Sequence, residues 1–70
     1  IDSKLSKAYN DLGTVYGRMG EFDIAIELIT EAIEINPSEG SYYQNLAVIY
    51  GFLGEEEKAE QLFQKASKYT

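Results

Sequence analysis

The sequence predicts an all-α fold: a solenoid, or α-α superhelix, of two antiparallel helix-turn-helix hairpins with four helices in all. Three observations carry that expectation. The chain repeats itself every 34 residues, its apolar residues recur at helical spacing, and each apolar run is broken by a glycine or a proline. Comparison of residues 9–36 with 43–70 finds nine identities in 28 pairs: Tyr9, Leu12, Tyr16, Gly17, Gly20, Glu21, Ala25, Leu28 and Ala32 return as Tyr43, Leu46, Tyr50, Gly51, Gly54, Glu55, Ala59, Leu62 and Ala66. Unrelated sequence of ordinary composition would give roughly two. A period of this length marks stacked repeats, each a supersecondary unit that cannot bury its apolar face alone.

In the first helix Leu5, Ala8, Leu12, Val15, Tyr16 and Met19 fall at steps of three and four residues, which sets them on one stripe. That stripe is the expected core face, and Asp2 or Ser3 is the expected cap. Gly20 can take the left-handed conformation that ends a helix. A second stripe follows at Phe22, Ala25, Ile26, Ile29, Ala32 and Ile33. So short a connection forces the two helices to lie side by side and antiparallel. Asn36, Pro37, Ser38 and Glu39 then suggest a fresh start, with Asn36 as N-cap, Pro37 in the first turn and Glu39 completing a capping box. Tyr42, Tyr43, Leu46, Ile49, Tyr50 and Leu53 form the third stripe. Gly54 closes it, and Ala59, Leu62, Phe63 and Ala66 line the fourth helix. Small residues at matched places, Gly13 with Ala47, Ala25 with Ala59 and Ala32 with Ala66, mark expected close helix crossings. Glycine inside a helix costs about 0.5–1 kcal/mol against alanine, so Gly13 and Gly17 imply close contact or room for a ligand.

Composition narrows the function. Seventy residues make one small domain, and without His or Cys there is neither a disulfide framework nor a structural zinc site. No apolar run approaches the length of about 20 residues that spans a bilayer. A soluble chain is expected, with the cytoplasm as its compartment, although the lack of cysteine suits any. Six Lys/Arg against twelve Asp/Glu leave a net charge of −6, which repels phosphate backbones and anionic lipid heads. Neither nucleic acid nor a membrane is an expected partner. The commonest general bases and nucleophiles are missing, so no catalytic residue, metal or cofactor is expected. Glu55, Glu56 and Glu57 read as a solvated helix start, and Glu27, Glu31 and Glu34 as a solvent-facing stripe.

The spacing Tyr9-x2-Leu12-Gly13-x2-Tyr16, then Gly20, Ala25-x3-Ile29, Ala32 and Pro37, resembles the tetratricopeptide repeat, and Tyr43-x2-Leu46-Ala47-x2-Tyr50, Gly54, Ala59-x3-Phe63 and Ala66 repeat the pattern. Tyr stands for the Trp of that pattern in both copies. The resemblance implies repeat 1 at about 6–39, repeat 2 at about 40–70 and truncated, and residues 1–5 as the tail of a preceding repeat or an N-terminal extension. It also implies a concave groove lined by the first helix of each hairpin, where the family binds extended peptides or partner helices. On that basis the groove candidates are Lys7, Asn10, Thr14 and Arg18 in the first repeat and Gln44, Asn45, Val48 and Phe52 in the second, with Gly17, Ser41 and Gly51 beside them. Phe52 serves either as an anchor for a partner or as inter-repeat packing. One subclass of the family clamps a terminal carboxylate. Asn45 matches that clamp, but Asn10 and Thr14 stand where it wants Lys and Asn, so the clamp is not the expected mode. The leading expectation is a scaffold module for a peptide or helix, with self-assembly through open repeat edges into a homo-oligomer as the alternative. An enzyme has no residues behind it.

Overall fold

A computed structural model describes residues 3–69. Ile1, Asp2 and Thr70 lie outside the described residues, and with them the cap expected at Asp2. Four helices follow in order: α1 (Ser3–Arg18), α2 (Phe22–Ile35), α3 (Gly40–Phe52) and α4 (Glu56–Lys68). Helix α2 packs against both α1 and α3, α4 packs against α3, and α1 touches α3 only lightly. The four helices form a slab of 32 × 27 × 14 Å.

Both hairpin turns are built alike. Gly20 and Gly54 sit at φ of 83° and 80°, which a side chain would strain. Their turns satisfy the last carbonyls of α1 and α3: Gly20 N–H donates to Gly17 O and Glu21 N–H to Tyr16 O, matched by Gly54 to Gly51 and Glu55 to Tyr50. These are the orphan acceptors that every helix C-terminus must pair. The connection between repeats differs from its sequence reading. Asn36 closes α2, its N–H donating to Ala32 O, rather than opening α3. Helix α3 starts at Gly40 after an extended Glu39 that makes no side-chain cap. Pro37 stays in the link, where its carbonyl accepts the Tyr43 hydroxyl at 2.7 Å.

The core consists of Ala25, Ile29 and Ala32 from α2 with Tyr42, Leu46 and Ile49 from α3, and Tyr9, Tyr16, Phe22, Ile26, Ile33, Tyr50 and Leu62 pack against it. The stripes expected on α2 and α3 are therefore the buried ones, except that Leu53 is exposed. The stripe expected on α1 is not. Leu5, Ala8, Leu12, Val15 and Met19 are all exposed, and α1 buries Ser6, Asn10 and Gly13 instead. The repeat register gives the reason: Leu12 is 48% exposed while its counterpart Leu46 is 6% exposed. Leu46 has α2 of the preceding hairpin to pack on, and among the described residues nothing precedes α1.

The opposite edge is unlike this one. Where α2 offers Phe22, Ile26, Ile29 and Ile33, the same repeat positions of α4 hold Glu56, Glu60, Phe63 and Ser67. The leading edge is aliphatic, and the trailing edge is acidic around a half-exposed Phe63.

Tyr43 ties the repeat link to α3 and α4. Besides donating to Pro37 it stacks on Tyr69 with ring centroids 5.7 Å apart, and Lys65 Nζ lies 5.4 Å over its ring. Burial, and secondarily the neighbouring Tyr69, raise its pKa above the usual 10.0. A raised folded-state pKa contributes stability that is fully present below the unfolded value and is lost as pH climbs through the folded one. The chain should therefore lose stability above about pH 10, when the phenolate can no longer donate to Pro37. In Tyr43→Phe that component should vanish, so thermal midpoints of the two proteins should converge between pH 9 and 12.

Candidate functional site

The outer sides of α1 and α3 meet in a hollow of about 410 Å³, within the usual size of a ligand pocket. Nine residues line it. Phe22, Val48, Ile49 and Phe52 supply apolar wall, Gly17 and Gly20 supply backbone, and Thr14, Arg18 and Asn45 stand at its polar margins. None of the nine is acidic, although the chain carries twelve acids. Phe52 stacks on Phe22 with centroids 5.9 Å apart and planes within 15°, yet remains 73% exposed. Of the two roles foreseen for Phe52, inter-repeat packing is the one seen, since one face of the ring packs on the neighbouring repeat while the rest stays open to solvent.

Five of the eight candidate residues, Thr14, Arg18, Asn45, Val48 and Phe52, come together at this hollow. The other three do not. Asn10 is 8% exposed, and its Oδ1 accepts from Asn45 Nδ2 at 3.0 Å, so it joins α1 to α3. A second link across the same seam runs between Ser6 Oγ and the Tyr42 hydroxyl at 3.0 Å. Lys7 is pinned to Asp11 at 3.0 Å, and the hydrogen bond with the Asp11 carboxylate holds its ammonium above the usual range. It lines a separate hollow at the other end of the seam, with Asn10, Asp11, Glu39 and Ser41. Gln44 is exposed and lines neither hollow.

Arg18 differs from the other cations. Lys58, Lys65 and Lys68 each lie 5–6 Å over a tyrosine ring, Lys7 is paired, and Lys4 has a partner as well. Among the described residues Arg18 is the one cation with no ion pair, hydrogen bond or ring contact.

Phe22 was missed as part of the site because it opens α2 rather than lying on a groove helix. Its replacement by Glu56 in the second repeat was the available signal, since an aromatic on only one of two matched helices points to a local role.

The tetratricopeptide repeat model matches residues 5–69, nearly the whole chain. The chain belongs to the tetratricopeptide repeat family. Tetratricopeptide repeats are in general protein–protein interaction modules and typically non-catalytic scaffolds. The fold is also that of the crystal structure of MamA, with a TM-score of 0.88 and 35% identity over 97% of this chain. The present chain spans 40% of that protein's length. No curated protein matches the chain. Among the described residues no helix of this tetratricopeptide repeat protein is long and apolar enough to cross a membrane.

Proposed function

We propose that this chain is a non-catalytic interaction module that binds a peptide or partner helix in the groove between α1 and α3. The observation that carries the reading is the open apolar hollow beside Phe52: a large aromatic, mostly exposed yet stacked on Phe22, is the kind of group that dominates interface energies. Family membership supports it at the level of protein binding in general. The groove positions also lack acids, which sets this face apart from the acid-rich α2 and α4.

The test uses peptides selected by the immobilised chain from a random library. Replacing Arg18 and Phe52 together by alanine is expected to weaken the selected peptides at least tenfold, roughly the loss of one hot-spot residue, while far-UV helicity stays unchanged. Equal affinity for both proteins would defeat the groove reading.

A second reading, self-association, is favoured by the exposed Leu12 and Val15 on the leading edge. Head-to-tail stacking of two copies would set that edge against Glu56 and Glu60 rather than against isoleucines. Pairing of two leading edges around a two-fold axis is the arrangement consistent with these surfaces. Light scattering over a hundredfold concentration range decides it, because a monomer throughout would rule it out.

A further inference from the structure

Resting on the groove reading, we propose that the hollow between α1 and α3 selects a peptide segment in which one large apolar side chain lies within two residues of an Asp or Glu. The apolar part follows from the walls. Phe22, Val48, Ile49 and Phe52 line a volume of about 410 Å³ together with Gly17 and Gly20. A Cβ built on Gly17 would make only ordinary contacts, the nearest with Ile49 at 3.5 Å, so a close crossing of helices does not require this glycine.

The acidic part follows from charge. Arg18 lines the hollow, and among the described residues each of the five lysines is engaged with a partner within the chain. Although the net charge is −6 and Lys7 is paired with Asp11, Arg18 has neither an acid nor a ring beside it. The hollow itself contains no carboxylate to compete for it. The C-termini of α1 and α3 both lie here, and helix ends of this sense carry partial negative charge. Most of their last carbonyls, however, are taken up by the two glycine turns, Val15, Tyr16 and Gly17 accepting in α1 and Ile49, Tyr50 and Gly51 in α3. Arg18 is then the one full charge in the lining, and its planar fork fits a carboxylate in two-point contact. Thr14 and Asn45 add neutral polar groups to the lining; the Thr14 hydroxyl donates to Asp11 O and Asn45 Nδ2 to Asn10 Oδ1, which leaves their oxygens to accept from a peptide backbone.

Arg18 also complements the end of its own helix, and a purely structural role would be limited to that. The experiment separates the two. Three end-blocked octapeptides with a central Phe, flanked on both sides by Asp, by Asn or by Lys, are titrated into the 15N-labelled 70-residue chain and followed by amide shifts. The Asp-flanked peptide is expected to move Gly17, Arg18, Val48 and Phe52, to bind about fivefold more tightly than the Asn-flanked one, as a charge-assisted contact at an exposed site allows, and to lose that margin at high salt. The Lys-flanked peptide should not bind measurably. In Arg18→Gln the margin should vanish, and in Arg18→Lys, which keeps the charge at the helix end, most of it should remain. Equal binding of the Asp and Asn peptides at the groove would overturn this inference and leave the groove reading standing. No shift on α1 or α3 from any of the three would also overturn it, and the groove reading would then rest on the library-selected peptides alone.

Discussion

Ile29→Ala should cost the chain about 3–4 kcal/mol, the usual range for emptying a fully buried aliphatic site. Ile29 has no exposed surface and lies at the centre of the cluster that joins the two hairpins. A chain of 70 residues has roughly 4–10 kcal/mol of stability in total, so the variant should be largely unfolded in low concentrations of urea, if it folds at all. Phe63 occupies the same repeat position in α4 but is 45% exposed, since among the described residues no further hairpin covers it. Phe63→Ala should therefore cost only about 1 kcal/mol, a fraction of the transfer energy of a buried ring. Urea midpoints of the two variants measure the difference. Similar losses at both positions would mean that the second hairpin is packed as tightly as the first.

Gly13→Ala should destabilise by about 1–3 kcal/mol, the usual cost of overpacking, even though alanine is the better helix former. A Cβ at Gly13 would fall 2.6 Å from Ile29 Cγ1, 3.2 Å from Ala25 O and 3.3 Å from the Ile29 amide nitrogen. Two of those atoms are backbone, and the third belongs to a side chain enclosed on all sides, so none yields cheaply. Gly17→Ala makes only ordinary contacts with Ile49 and Ala25 and should gain about 0.5–1 kcal/mol from helix propensity. The opposite signs are the point of the pair. If both substitutions stabilise, the α1–α2 crossing is looser than the geometry states.

The helix hairpins and the family were legible in the sequence because they rest on a repeated period, on two glycines that must adopt positive φ, and on stripes that two copies corroborate. The core face of α1 was not. Helical spacing shows that Leu5, Leu12, Val15 and Met19 share a face, but it does not show whether another helix covers that face. The repeat register carried the missing clue, since the residues that Leu46 packs against lie in the hairpin before it. The link between repeats was misread for a different reason. Asn-Pro-Ser-Glu is rich in signals that serve both ends of a helix, and Asn36 closes α2 while Glu39, whose side chain makes no cap, precedes α3. Among the groove candidates, Asn10 was indistinguishable in sequence from an exposed polar residue. Its burial depends on α3 placing Asn45 3.0 Å away, 35 residues along the chain.

The two edges of the slab bear on how a longer array could grow. An aliphatic leading edge at Leu12 and Val15 is suited to receive a helix like α2, whereas Glu56 and Glu60 on α4 make the trailing edge a poor seat for a copy of α3. Polar outer faces of this kind keep the end of a repeat stack in water.

Amide shift mapping of the labelled chain with its tightest library-selected peptide tests groove binding most directly. A groove module should show its largest shifts at Thr14, Gly17, Arg18, Asn45, Val48 and Phe52. Shifts confined to Leu12, Val15 and Met19 on the leading edge would contradict it and assign binding to the open end of the stack.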